Sequence, residues 1–508
     1  MNLAPLPTPA TRGRFASRPT SVIRLRSIRA VSDGPASDFG PRRCFGSRLS
    51  GCGLRSSRST RASILVGLLW CLAVLAVVVI SVLHTARLDL LVVKNYGDQV
   101  QAHYLAVAGI ERAKALLYRD VRERSRSALS HSGQLYDTPE LFREVPFGRG
   151  QFSVLRRARP DEGGGILFGV SDEESRLNAN VAGTDELAHL PDITADVVAA
   201  IADWRDSGND PTPGGARADY YLSLRPPCLP RSGPLETVRE LLMVRGVTPP
   251  LLRGRDVHQN GLLPTTDYDR TLAVDDVTDT GWAGLLTVDS MVDNVSAAGT
   301  ERVNIQSADE TELSSVRGIS ADIAHAIVAW RQQNRLNSVA DLLDVVAPPP
   351  QNQQGNPNPN QPQGANQANQ LANNPNGPKV ISPALLLDIA DDLTVQGEKQ
   401  LAGLVNVNTA SLEVLACLPG MDRQLAQAII NFRQSNGFLP NTAWLLQVPG
   451  FTPDLFKQLA PRITARSETF RILAEGRVNS SGTRQRIQEI VHVGLNTLTT
   501  LSYREDDL

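Results

Sequence analysis

Asn178–Arg205 reads NANVAGTDELAHLPDITADVVAAIADWR, and the chain writes this stretch three times. Asn304–Arg331 (NIQSADETELSSVRGISADIAHAIVAWR) and Asn406–Arg433 (NVNTASLEVLACLPGMDRQLAQAIINFR) follow at offsets of 126 and 102 residues, without gaps over 28 positions. Repetition on this scale marks a supersecondary unit that buries its apolar face against copies of itself. Apolar residues recur every three or four positions on both sides of a short turn, the pattern of helix, tight turn, helix. In the third copy the spacing predicts a helix over 410–418, a turn at Pro419-Gly420 and a helix over 424–433. Leu415, Leu418, Leu425 and Ile429 close its core. A trailing unit recurs too: PLETVRELLMVRGVTPPLL from Pro234, LNSVADLLDVV from Leu336 and LPNTAWLLQVPGFTPDLF from Leu439. Thr248-Pro249, Ser382-Pro383 and Thr452-Pro453 each set a capping hydroxyl before proline at a first helical position.

Working outward, short strand-like stretches bracket the repeats. Gln151–Arg157 (QFSVLRR) and Ile166–Ser171 (ILFGVS) read as strands around Gly163-Gly-Gly165. Thr469–Gly476 (TFRILAEG) and Arg486–Gly494 (RIQEIVHVG) read as a second hairpin, turned at Asn479-Ser-Ser-Gly482. Strands on both flanks imply one small sheet with the helical modules inserted between its strands.

Further out, Ser63–Leu83 (SILVGLLWCLAVLAVVVISVL) is an uncharged run long enough to cross a bilayer as a helix. The 62 residues before it hold 12 Arg, no Lys and two acids, Asp33 and Asp38. No proline occurs between Arg42 and Thr138, so the helix is expected to run on from Ser63 to Arg119. Val93, Tyr96, Val100, Tyr104, Val107, Ile110, Ala113 and Leu117 form one apolar stripe along it. A cleaved secretory signal does not fit, because the run is long and no small-x-small site precedes a mature domain. Arg42-Arg43-Cys44-Phe45 lies too far upstream for a twin-arginine signal.

The net charge of −2 hides an asymmetry. The leader carries +12 and −2, or +10. The rest carries 39 basic and 51 acidic residues, or −12. The positive-inside rule keeps the leader cytoplasmic and exports the acidic body, a poor partner for phosphate backbones. Of five cysteines only Cys228 and Cys417 are placed to pair outside, so this is no disulfide scaffold, and their pairing stays open. There is no HExxH, GxSxG, P-loop or GxGxxG, and the seven His are scattered; the chain reads as a non-enzyme.

Arg61-Ala62-Ser63 followed by ILVGLLWCLAVLAV resembles the leader junction and N-terminal helix of type IV pilin-like proteins. Tyr104–Ala113 (YLAVAGIERA) resembles the end of that helix in minor pseudopilins. The resemblance implies a cut by a prepilin peptidase between Ala62, where the family usually has Gly, and Ser63, which would carry the methylated mature terminus. The fifth residue from Ser63 is Gly67, where most such subunits have Glu. A carboxylate there offsets a neighbour's N-terminal ammonium, and a subunit without it suits a filament end. That absence resembles the K-type minor pseudopilin of type II secretion.

The block from Asp203 is similar to the K-type signature: Asp203-Trp-Arg-Asp206, Asp210-Pro211, Gly215-Ala216, Asp219-Tyr-Tyr221, Pro226-Pro227, Gly233-Pro-Leu235, Glu240-Leu241 and Val244-x-Gly246. Asp172-Glu-Glu-Ser-Arg-Leu-Asn178 resembles the family's lead into its helical domain. The resemblance implies a minor pseudopilin at the tip of the pseudopilus, supporting export of folded proteins across the outer membrane. It also implies a single inner-membrane pass with a cytoplasmic N-terminus and a periplasmic body. Its implied partners are other minor pseudopilins along the N-terminal helix, the prepilin peptidase, the inner-membrane secretion platform, and the secretin or cargo.

Asp206, Asn209, Asp210 and Asp219 lie on a Gly/Pro-rich loop, and hard oxygen ligands on irregular backbone suit Ca²⁺. The resemblance also implies calcium, with Asp206, Asp210 and Asp219 as ligands. Ser207-Gly208 and Arg217-Ala218 stand where that family has acids, and EF-hand spacing is absent. The alternative is a solvated loop capped by Asp side chains.

The repeats themselves resemble helix-hairpin-helix modules, including those of membrane-anchored DNA receptors of competence systems, which supply a rival function. Their turns, Pro191-Asp-Ile-Thr194, Arg317-Gly-Ile-Ser320 and Pro419-Gly-Met-Asp422, lack the paired glycines of DNA-binding hairpins. Asp192 and Asp422 put carboxylates where a phosphate would sit, so nucleic acid is not an expected partner.

The expected fold is therefore α+β: a long N-terminal transmembrane/amphipathic helix on a small antiparallel sheet, with a large inserted all-α domain of helix-hairpin-helix-like repeats. The expected divisions are a basic cytoplasmic leader 1–62, a transmembrane helix 63–83, an amphipathic extension 84–125 and a first sheet hairpin 150–172. Helical modules follow at 173–255, 282–346 and 379–464, with a polar Asn/Gln/Pro-rich tract at 347–378 and a last hairpin at 468–495. The tract interrupts the second trailing unit where the third has Pro449-Gly450. The middle module and the tract lie outside the usual K-type pattern.

Overall fold

The computed structural model describes residues 61–127, 133–208, 210–256, 280–347 and 377–505. Most of the leader, nearly all of the polar tract and Asn209 lie outside the described residues. By contacts the chain forms two units, residues 1–80 and 81–508.

Helix α1 runs Arg61–Ser127, longer at both ends than the spacing predicts. From Ile64 it is long and apolar enough to cross a membrane, and its apolar side chains from Ile64 to Val93 are all exposed.

The second unit is built on a seven-stranded antiparallel sheet. Its strands are β1 (Val145–Phe147), β2 (Gly150–Arg157), β3 (Ile166–Leu167), β4 (Ser171–Asp172), β5 (Thr469–Val478), β6 (Arg484–Val493) and β7 (Leu498–Arg504). The order is β1-β2-β5-β6-β7, with β3 on β2 and β4 on β5. The two expected hairpins thus join directly, Leu155 opposite Leu473 and Phe152 opposite Gly476. The stretch 166–171 splits into two short strands, and Gly169 lies between them. A Cβ there would come within 2.5 Å of the Tyr136 and Leu135 carbonyl oxygens. The edges β1 and β7 were not foreseen.

Alternation along β5 sends Phe470, Ile472 and Ala474 to one face, where they meet Ile110, Ala113, Leu117 and Val121 of α1. At the other end of the contact the backbones come closer. A Cβ on Gly476 would lie 2.1 Å from the Ala102 carbonyl oxygen, and one on Gly109 3.1 Å from Phe152 and Ala474. This corrects the predicted stripe. Ile110, Ala113 and Leu117 are buried, but Val93, Tyr96 and Tyr104 are 69%, 69% and 65% exposed. Val93 and Tyr96 precede the contact, where the helix is exposed on every face; within it Ala102, Ala106 and Gly109 permit the close approach, Leu105 and Ile110 are buried beside them, and Tyr104 is left outside.

The inserted section is three modules on one continuous apolar core running from Leu177 to Ile463. Their hairpins are α2 (Thr184–Leu187) with α3 (Ala195–Arg205), α4 (Glu310–Ser315) with α5 (Ala321–Arg331), and α6 (Leu412–Ala416) with α7 (Arg423–Asn436). Each module is closed by a two-residue parallel ladder: Leu177–Asn178 with Leu286–Thr287, Val303–Asn304 with Leu393–Thr394, and Val405–Asn406 with Ile463–Thr464. The ladders move the expected boundaries. Residues 282–287 finish the first module rather than opening the second. The helix Pro383–Ile389 and the strand Leu393–Thr394 finish the second rather than opening the third. The ends of the polar tract are pinned together, since Val346 bridges Lys379 and the Ala347 amide donates to the Pro378 carbonyl at 3.0 Å. Ser382 and Thr452 cap their helices through Leu385 and Leu455, whereas Thr248 makes no side-chain cap bond.

Candidate functional site

Each repeat carries the same polar clasp. Asn178, Asn304 and Asn406 accept from the amide two residues on, an Asx turn that starts the module. The residue on that amide reaches the trailing unit: Asn180 and Asn408 exchange two bonds with the backbone of Leu235 and Leu439, and Gln306 donates to Leu336. The last letter of the repeat closes the loop. Arg205 donates to the carbonyls of Ala179 and Ala182, Arg331 to Ile305 at 2.9 Å, and Arg433 to Val407 and Ala410 at 3.0 and 2.8 Å. Carbonyls that the turn leaves unpaired thus find a charged donor.

Asp172-Glu173-Glu174, quoted from the sequence as the lead into the helical domain, is the joint between sheet and modules. All three are buried. Asp172 accepts from Asn406 at 3.2 Å, Ser467 at 2.5 Å and Thr409. Glu173 meets Arg471 of β5 at 2.6 Å, Arg176 at 3.4 Å and Thr287 at 2.5 Å. Burial pushes the Glu173 carboxyl up, but the two arginines and Thr287 hold it below the usual range. Glu174 is driven well up by burial and by the Asp172 charge beside it, and accepts from the Thr469 amide. One acidic triplet therefore ties β5 to the first and third modules. Its sequence signal was three adjacent acids next to Arg176.

The K-like signature is mostly packing. Trp204 is 1% exposed, donates to Glu240 at 2.9 Å and meets Tyr221 edge-on with centroids 5.0 Å apart. The Tyr221 hydroxyl accepts from the Arg245 amide at 3.1 Å. Gly246, at φ +83°, takes a turn where a Cβ would strike Val197 at 2.7 Å.

The expected calcium ligands do not gather. Asp206, Asp210 and Asp219 are exposed, and among the described residues they form no ligand set with one another or with another acid or histidine. Asp206 is instead bonded to Arg217 at 2.7 Å, a bond that holds its carboxyl below the usual range. These residues do not fit a metal ion. The described set that does converge is Asp293, Glu468 and His492, which serve one another. The Asp293 amide donates to Glu468 at 2.5 Å, and His492 lies 3.3 Å from the Asp293 carboxylate. Cys228 and Cys417 are free, and burial pushes the Cys417 thiol up to about 12.

The hairpin turns superpose in chemistry as well as sequence. Gly318 and Gly420 take positive φ, and at the matching position Asp192 does so at +57°. Asp422 accepts from the Leu425 amide at 2.7 Å, so its own carboxylate fills the α7 N-terminus where an anion would bind.

Residues 174–254 match the family model described as type II secretion system (T2SS), protein K, and residues 299–347 and 401–464 match the helix-hairpin-helix motif. A solved chain is similar over 81% of this chain and 98% of its own, at 12% identity and a TM-score of 0.40. It comes from the crystal structure of the GspK-GspI-GspJ complex of the enterotoxigenic Escherichia coli type 2 secretion system. No curated protein matches. The family match begins within the acidic joint and spans the Trp204–Tyr221 lock, and over that module the chain is similar to type II secretion system protein K.

Proposed function

We propose that this chain is an anchored minor pseudopilin that ends the pseudopilus of a type II secretion system. The observation that carries the reading is the outer face of α1. Beyond the apolar run α1 stays exposed on every face as far as Gly97, Val93 and Tyr96 included, and Tyr104 is still 65% exposed where Ala102, Leu105 and Ala106 are buried against the sheet. An apolar stripe that its own domain leaves open suits like helices alongside it. The partners are then other minor pseudopilins packed on that stripe, delivered by the inner-membrane secretion platform. The prepilin peptidase cuts between Ala62 and Ser63, and Ser63 is N-methylated. The leader stays cytoplasmic and the body is periplasmic, where the helical modules reach the secretin or cargo. Gly67 offers no carboxylate to a further subunit.

Deleting the gene in its native host tests this. Folded export substrates should accumulate in the periplasm, and normal secretion would refute the reading. Single cysteines at Tyr96 or Tyr104 should crosslink to another pseudopilin.

The match to helix-hairpin-helix motifs keeps a DNA receptor in view. The Asp422 carboxylate at the α7 N-terminus and the acidic body argue against it. The chain from Ser63 onward, without the basic leader, should pass through a heparin or DNA column at physiological salt, and firm retention would favour the receptor.

A further inference from the structure

The loop that follows Trp204 is organised around an arginine. Arg217 is 8% exposed. Its Nη1 donates to the backbone carbonyls of Asp206 and Gly208, both at 2.7 Å. Its Nη2 donates to Asp206 Oδ2 at 2.7 Å and lies 3.2 Å from Asp203 Oδ1. Two carboxylates and two carbonyls converge on one positive group. Carboxylate and carbonyl oxygens from an irregular loop are the ligand mixture that Ca²⁺ takes.

The surroundings are shaped to this arrangement. Asp203 is buried, and it also accepts from the Thr212 amide and, at 3.1 Å, the Thr212 hydroxyl. A Cβ on Gly208 would fall 2.7 Å from Asp206 Oδ2 and 3.3 Å from the Arg217 guanidinium. One on Gly215 would fall 2.0 Å from Asp203 Oδ2. The backbone is drawn in against the ion pairs, and a divalent ion sharing those oxygens would meet a fixed like charge.

We propose that Arg217 is the resident cation of this loop and makes the first module independent of calcium. The guanidinium supplies the charge and, unlike a bound ion, is never lost by dilution or chelation. Its planar fork suits several oxygens at once. The exposed Asp210 and Asp219 take no part in the arrangement.

The test uses the purified full-length chain in detergent and Ca²⁺ alone as the probe. Wild type should melt at the same temperature in EDTA and in millimolar calcium, and calorimetric titration should show no saturable heat. Destabilisation by EDTA, or micromolar calcium binding, overturns the proposal. Arg217→Ala leaves Asp203 and Asp206 without their shared counter-charge. It should melt several degrees lower in EDTA and regain part of that in calcium. An unchanged melt in EDTA, or no regain in calcium, also overturns it. Should Arg217→Ala fail to fold, Asp206→Asn keeps the Asp203–Arg217 pair. It should melt slightly below wild type and ignore calcium, and a calcium response would count against the proposal. None of these readings depends on a role in secretion.

Discussion

The first and third modules share a framework and differ in what hangs from it. Both open on an Asn, close on an Arg, and end on a two-residue parallel ladder. Yet Leu235 comes 30 residues after Arg205, while Leu439 comes 6 after Arg433. The third module is close to a bare hairpin, and the helix-hairpin-helix motif matches it. The first carries a long insertion with Arg217 and Tyr221 that packs on Trp204, and the protein K family model matches there. The repeated polar residues hold the module's shape, and the insertion gives one copy its own character.

The modules also differ in how they are tied down. The third is held to the sheet by a charged turn at Pro160–Glu162. Arg433 reaches Asp161 at 2.7 Å, and Arg159 reaches the Thr409 carbonyl at 2.7 Å. The first is held through Glu173 and Thr287, and to the third by a two-bond pair of Arg462 and Glu186 at 2.8 and 2.7 Å.

The largest expected effect separates the three clasp arginines. Arg433→Ala leaves two carbonyls without their donor in a buried setting and takes one of Asp161's two arginines, Arg159 remaining at 3.2 Å, and should cost about 3 kcal/mol. Arg205→Ala, half-buried with two carbonyls, should cost about 2, and Arg331→Ala, with one carbonyl, about 1. Chemical unfolding of the full chain in detergent measures all three, and equal losses would erase the distinction between the modules.

Next comes acid. Burial pushes Glu162 up, but its bonds to Arg156 and the charges of Arg159 and Arg156 pull it to about 2, from 4.5 unfolded. Its contribution is complete above pH 4.5 and is lost as pH falls towards 2. The shift corresponds to roughly 3 kcal/mol. Glu162→Gln should remove that limb of the stability–pH curve, and an unchanged limb would mean that this turn does not anchor the third module.

The smallest effect lies in the turns. Gly420 sits at φ +71°, and a Cβ there would press on Gln458 and Leu455 at 2.8 Å. Gly420→Asp should therefore cost about 1–2 kcal/mol. Asp192→Gly, which gives the first module its siblings' residue, should gain about 0.5 kcal/mol. Melting midpoints of the two variants should move in opposite directions.

Much of this was legible because it is local or repeated. The hairpins, the trailing units, the proline-capped helices and the long sheet strands all carry a period that a single segment displays. The ladders do not: two residues have no period, and Val303 finds Leu393 only across the intervening helices and the polar tract. That distance is why the module boundaries were set one element off. The stripe on α1 was read as one face because three- and four-residue spacing tolerates drift. Packing then chose the small residues at 102, 106 and 109. Asp206, Asp210 and Asp219 were read as ligands from an oxygen-rich loop and a family resemblance, but Asp206 pairs with Arg217 and the other two stay exposed. The acidic triplet 172–174 was visible as a motif, though its partners, Arg471, Asn406 and Thr287, come from three distant segments.

The central claim is that α1 begins life behind a leader and ends as the start of a mature pseudopilin. N-terminal sequencing and mass analysis of the chain from its native membranes test it most directly. The account predicts Ser63, methylated, as the first residue. A chain that retains its arginine-rich leader in secreting cells would contradict it.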